Sequence, residues 1–161
     1  MKFSDEISLQ SAKKIVEDNL SQGLYCPCCK QYIKQYKRAI TSSMARCLII
    51  FYQEQQLKPN EWLQLTRIFI KKRRMQPNDF TKFKMWKMIV QKPSEKEDGN
   101  PDSGFYMLTE KGKQFVMGKI EVPRHCWVVR DEVDSFSKEM TTIKKALRNK
   151  FDYNRLMNNE Q

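Results

Sequence analysis

Between positions 5 and 20, apolar residues fall at Ile7, Leu9, Ala12, Ile15, Val16 and Leu20. Several keep the i, i+3, i+4 recurrence of one helix face, with Ser4 or Ser8 placed to cap it. Ser21-Gln22-Gly23 ends that helix. Thr41, Ser42 or Ser43 opens a second predicted helix, with Met44, Leu48, Phe51, Tyr52 and Gln55 down one side, broken by Leu57-Lys58-Pro59-Asn60. Trp62, Leu65, Ile68 and Phe69 predict a third helix, with 62–65 extended as the alternative, closing in Lys71-Lys72-Arg73-Arg74.

Gln76-Pro77-Asn78-Asp79 restarts the chain, with Asn78 suited to an N-cap and Asp79 to the first turn. From there Phe80, Phe83, Trp86 and Ile89 recur roughly every third position. Residues 92–103, with two Pro, one Gly and alternating charge, predict a hairpin loop between strands at 88–91 and 104–108. Thr109 caps a short helix ending at Val116. Strands are expected at 120–122 and 126–129, and Thr141 or Thr142 opens a last helix through Leu147 toward Phe151.

Helix, helix, turn, helix, two strands around a loop, helix is the order of a winged helix-turn-helix. Phe105-Tyr106-Met107-Leu108-Thr109-Glu110-Lys111-Gly112 resembles the Y-x-L-T-x-K-G stretch by which winged-helix regulators of the MarR and PadR type leave the second wing strand and enter the next helix. Trp86-Lys87-Met88-Ile89 resembles their aromatic-G-L-I segment, without the glycine. The likeness covers roughly residues 41–118; its L-T-E-K-G piece also occurs in winged helices that bind proteins. The Cys-Pro-x-Cys segment and the Phe151-Asp152-Tyr153 tail are similar to small phage-encoded proteins. The expected fold is α+β: a winged-helix core at 39–119, an N-terminal helix and cysteine knuckle at 1–38, and a C-terminal strand-helix extension at 120–161.

The resemblance implies a recognition helix over 78–88 lying in the major groove of duplex DNA. Asn78, Thr81, Lys82 and Met85, with the ends of Lys84 and Lys87, would then face outward. Lysine can read guanine O6 and N7, and threonine a thymine methyl or a phosphate. Lys71, Lys72, Arg73 and Arg74 would hold the sugar-phosphate backbone. Lysines opposite an apolar stripe are also what any solvated helix shows. The wing acids Glu95, Glu97, Asp98 and Asp102 offset Lys92 and Lys96, so this loop is not expected to cling to phosphates.

Charge sharpens the picture. The chain carries a formal +11, and residues 19–92 hold fifteen Lys and Arg against three acids. Such asymmetry adds nothing to fold stability, because like charges repel in the compact state, but it attracts a polyanion. Double-stranded DNA is the expected partner of a transcriptional regulator, with a homodimer compatible. The alternative is a protein-interaction module whose basic face docks on an acidic host protein. A third reading, single-stranded nucleic acid, needs exposed aromatics; Tyr25, Tyr32 and Tyr36 are candidates, although an i, i+4 tyrosine pair also serves packing. The longest apolar run, Cys47 to Tyr52, is six residues, and no membrane span or signal peptide is expected. A cytoplasmic protein follows.

Five cysteines, three of them at 26, 28 and 29, fit a reducing compartment. Cys26-Pro27-Cys28-Cys29 holds one Cys-x-x-Cys pair, which can present two thiolates to zinc. His125 and Cys126 are the remaining candidates for a four-ligand set, although neighbours on a strand point to opposite faces. A purely packed knuckle is the competing reading, a redox pair a third. One His, no Gly-rich phosphate loop, no H-E-x-x-H and no nucleophile elbow leave no catalytic constellation. No catalytic residue is expected.

Overall fold

The computed structural model describes residues 6–69, 77–94, 97–98 and 104–159. The chain runs α1 (Leu9–Asn19), β1 (Leu24–Tyr25), β2 (Tyr32–Ile33), β3 (Gln35–Ala39), α2 (Ser42–Leu57), β4 (Leu63–Gln64), α3 (Leu65–Phe69) and α4 (Pro77–Thr81). A 3-10 segment, Lys82–Trp86, continues α4, followed by β5 (Ile89–Gln91), β6 (Phe105–Leu108) and α5 (Glu110–Val116). Then come β7 (Val122–Pro123), β8 (His125–Val129), β9 (Glu132–Phe136), β10 (Met140–Thr141), α6 (Ile143–Leu147) and α7 (Tyr153–Met157). These elements form two units, one of residues 1–39 with 125–137, the other of 40–124 with 138–161. The expected C-terminal extension is therefore shared between them.

In the larger unit, α2 is apolar on every side: Met44, Ala45, Cys47, Leu48, Ile49, Ile50 and Phe51 are all buried. A helix of that kind must be sheathed all round, and α4, α5, α6, α7 and β6 lie against it. Thr41 caps it by accepting the Met44 N–H at 3.2 Å. Gln55, 2% exposed, lies near its end. Its amide N–H groups donate to the carbonyls of Lys58 (2.9 Å) and Glu61 (3.0 Å), and its oxygen accepts the Leu108 N–H (3.1 Å). That buried amide is satisfied on both ends, as burial requires.

The sheet of this unit has the order β4-β6-β5, all antiparallel, so its first strand pairs with its last. The helix expected from Trp62 resolves into the extended alternative, β4, followed by the five residues of α3. The helix expected over 78–88 is shorter and tighter: α-helical through Thr81, 3-10 to Trp86, then closed by Lys87 in the left-handed region (φ 57°). The spacing of three explains this. In a 3-10 helix residues i and i+3 eclipse, so Phe83 and Trp86 stay on the side of Phe80, and all three are 0% exposed. Burial of each such ring contributes about 1.5–3 kcal/mol. The Trp86 indole N–H is satisfied by the Pro123 carbonyl at 2.7 Å, in β7, which pairs with β10.

In the smaller unit, Ser8 caps α1 by accepting the Ser11 N–H. β1 and β2 form a hairpin around the cysteine segment, and β3-β8-β9 form a separate antiparallel sheet. Arg130 and Asp131, both with positive φ (50° and 64°), make the tight turn between β8 and β9, as a two-residue turn matched to strand twist requires.

Candidate nucleic-acid interface

With Phe80, Phe83 and Trp86 turned inward, the α4 segment leaves Asn78, Lys84 and Lys87 exposed and Thr81, Lys82 and Met85 half-buried. The outward face is partly occupied by its own contacts. Thr81 donates its hydroxyl to the Asn78 carbonyl at 2.8 Å. Lys82 Nζ lies 2.9 Å from Asp79 Oδ1, so reading a guanine would require it to exchange a carboxylate partner. Lys84 leans back over the sheet, 3.4 Å from Gln91 Oε1 and 5.9 Å from the centre of the Tyr106 ring. Lys71, Lys72, Arg73 and Arg74 lie outside the described residues.

The segment is fixed from behind by the stretch that carries the resemblance. Thr109 accepts the Gly112 N–H at 3.2 Å, donates its hydroxyl to the Lys87 carbonyl at 2.7 Å, and its own N–H donates to the Met88 carbonyl at 3.0 Å. Lys111 sits nearby, its ammonium held below the ordinary lysine range by burial and secondarily by the charge of Lys87.

The cysteines lie in the smaller unit. The Cys26 N–H donates to Gln31 (2.7 Å), the Lys30 N–H donates to the Cys26 carbonyl (2.9 Å), and Lys30 is left-handed (φ 64°), which folds 26–30 into a tight turn. Arg130 Nη2 lies 3.5 Å from Cys29 Sγ. The Cys29 thiol is held below its ordinary pKa by the backbone N–H of Gln31 first, then by Arg130 and Cys26. Cys126 is fully buried, opposite Arg38 across the strands. Burial raises its thiol pKa, with Arg38 acting in the other direction. Its neighbour His125 lies on the opposite face of β8. Among the described residues no three His, Cys, Asp or Glu side chains are grouped to hold a metal, so Cys26, Cys29, His125 and Cys126 are not brought together as one ligand set. A groove of about 470 Å³ runs beside the turn, lined by Leu9, Ala12, Val16, Pro27, Ile33 and Arg130 among others.

Lys34, Lys37 and Arg38 lie in or beside strand β3. Within β3, strand periodicity puts Tyr36 and Arg38 on one face, beside the buried Val128 and Cys126 of β8, while Tyr32 belongs to β2 of the other sheet. Tyr25, Tyr32 and Tyr36 are 63%, 51% and 46% exposed, not packed as an i, i+4 helical pair. Tyr25 and Tyr32 are directly paired across β1 and β2, with ring centres 5.4 Å apart, edge to face. Lys34 Nζ and Arg38 Cζ stand 5.9 Å and 5.4 Å from the centre of the Tyr36 ring.

No described helix is long and apolar enough to cross a membrane. Compared with known proteins, the chain matches no family model, no curated protein and no solved structure.

Proposed function

We propose that this chain is a non-enzymatic, cytoplasmic duplex-DNA-binding protein of winged-helix type, acting in transcription regulation. One observation carries the reading. The larger unit runs helix, strand, helix, helix, strand, strand, with the first strand paired to the last, the arrangement in which a winged helix presents the second helix of its helix-turn-helix, here α4, to DNA. The inward stripe of Phe80, Phe83 and Trp86 supports the outward role of Asn78, Thr81, Lys82, Met85, Lys84 and Lys87. The charge of residues 19–92 supports a polyanionic ligand. The Lys71, Lys72, Arg73 and Arg74 cluster would supply backbone contacts and the α4 face the base contacts.

The Lys82–Asp79 ion pair must open for Lys82 to read a base, at a cost of about 0–1 kcal/mol for a partly exposed pair. The test is a duplex titration at two salt concentrations. Absence of salt-dependent binding would transfer the basic surface to an acidic protein partner. Zinc, if bound, would take Cys26 and Cys29 as two of its four ligands and require two more from outside the knuckle. Elemental analysis of protein purified without chelator tests this. Zinc lost on Cys26→Ser and Cys29→Ser supports it, and folded metal-free protein removes it.

A further inference from the structure

We infer that the smaller unit carries a second nucleic-acid surface, one that binds single strands by stacking bases on Tyr25, Tyr32 and Tyr36. It goes beyond the duplex reading and stands on different residues, in the other unit.

Three exposed tyrosines within twelve residues do not serve the core of this unit, which buries Ala12, Ile33, Cys126 and Val128. The rings are presented at two places, the β1–β2 hairpin and strand β3. Tyr25 and Tyr32 form an edge-to-face pair at the β1–β2 hairpin, and Tyr36 lies four residues further on, about 13 Å at strand rise. Cations alternate with the rings, Lys34 and Arg38 both standing over Tyr36. Arg38 is half-buried, and its Nε lies buried without a hydrogen-bond partner among the described residues.

Among the described residues paired across the sheet with Tyr36 and Arg38, none is a carboxylate. No Asp or Glu occurs between Asp18 and Glu54. Across the sheet, Tyr36 and Arg38 oppose Val128 and Cys126, which oppose Val133 and Phe136, all neutral, and Phe136 adds a further ring at 44% exposure. The nearest acid of β9 with a described bond, Asp134, accepts from Gln35 at 2.8 Å, and Gln35 points to the other face of β3. Aromatic planes between uncompensated cations fit the chemistry of an unpaired strand, whose bases offer π faces and whose phosphates offer charge. A duplex keeps its base faces stacked and closed. An acidic peptide would use the cations and leave the rings without a role.

The experiment is fluorescence-anisotropy titration of the full chain with labelled dT and U oligonucleotides of about 16 nucleotides, and with a duplex of similar length. The two single strands separate DNA from RNA as the source. Both wild-type complexes should weaken with salt, with slopes near 0.7 per cation engaged. Tyr36→Ala and Tyr32→Ala should each weaken single-strand binding by about 5- to 150-fold, while Tyr36→Phe and Tyr32→Phe, which keep the ring, should bind like wild type. Duplex binding should be unchanged in all four. Photo-crosslinking of wild type with 4-thiothymidine or 4-thiouridine strands should label residues 25–38, which keeps the test decisive if an alanine variant misfolds. Single-strand affinity insensitive to loss of the rings in folded variants, crosslinks confined to residues 78–88, or no single-strand binding at all would overturn the inference. Loss of duplex binding in variants of 78–88 alone bears on the winged-helix reading and leaves this one untouched.

Discussion

Gly112 faces the carbonyl of Met88 so closely that a methyl group on it would stand 2.2 Å from that oxygen. The glycine of the Y-x-L-T-x-K-G stretch is thus required by the approach of α5 to the chain entering β5, and not by backbone angle. Gly112→Ala should destabilise the larger unit by about 1–3 kcal/mol through overpacking against rigid backbone. Thr109→Ala, which removes the cap on Gly112 and the bond to Lys87, should cost about 0.5–2 kcal/mol. Chemical denaturation checks both, and an unshifted midpoint for Gly112→Ala would mean that α5 and β5 are set further apart.

Trp86 is the anchor of the α4 segment, 0% exposed and bonded through its indole to Pro123. Trp86→Ala should cost about 3–5 kcal/mol. Trp86→Phe keeps the ring and leaves the Pro123 carbonyl unpaired, and should cost less, about 1–3 kcal/mol. A loss below about 1 kcal/mol for Trp86→Ala, in the range of surface sites, would turn the segment round and dissolve the assignment of its outward face.

Cys29 should be the most reactive thiol of metal-free protein. The Gln31 N–H and the Arg130 guanidinium favour its thiolate, the nucleophilic form, whereas Cys126 is buried with its pKa raised. The rate of iodoacetamide labelling, followed residue by residue by mass spectrometry, should rise for Cys29 at lower pH than for the unfolded chain. Arg130→Gln should move that midpoint upward. Because the folded pKa is the lower one, the associated stabilisation is present above the ordinary thiol range and fades as pH falls through the folded value. Equal midpoints in folded and unfolded protein would refute the contact.

Much of the larger unit was legible in the sequence. Thr41, Thr109 and Thr142 cap helices where cap chemistry placed them, and the strands around 92–104 run within a residue or so of their expected bounds. The spacing of Phe80, Phe83 and Trp86 is visible in the sequence, but a period of three fits an α-helical face only loosely and is the repeat of a 3-10 helix. Of the smaller unit, α1 with its Ser8 cap and β8 were legible, and the other strands were hidden. β1 and β2 are two residues each, too short for periodicity to register. β3 finds its partner in β8, some ninety residues later, a pairing that no local pattern encodes. β9 alternates acids with Val133, Ser135 and Phe136 and reads as solvated chain until its hairpin turn is known. For the same reason the exposure of the tyrosines could not be read from their spacing alone.

The most direct test of the central claim compares three proteins on duplex DNA at two salt concentrations: wild type, Lys72→Ala/Arg73→Ala/Arg74→Ala, and Thr81→Ala/Lys82→Ala. Wild type should bind with a log–log salt slope that shrinks by about 2–3 units in the triple variant, at roughly 0.9 per lost phosphate contact, and affinity should fall on all sequences alike. The Thr81/Lys82 variant should lose about 1–3 kcal/mol on a selected site and little on random duplex. Wild-type protein that shows no salt-dependent duplex binding, while its fold is intact, contradicts the account.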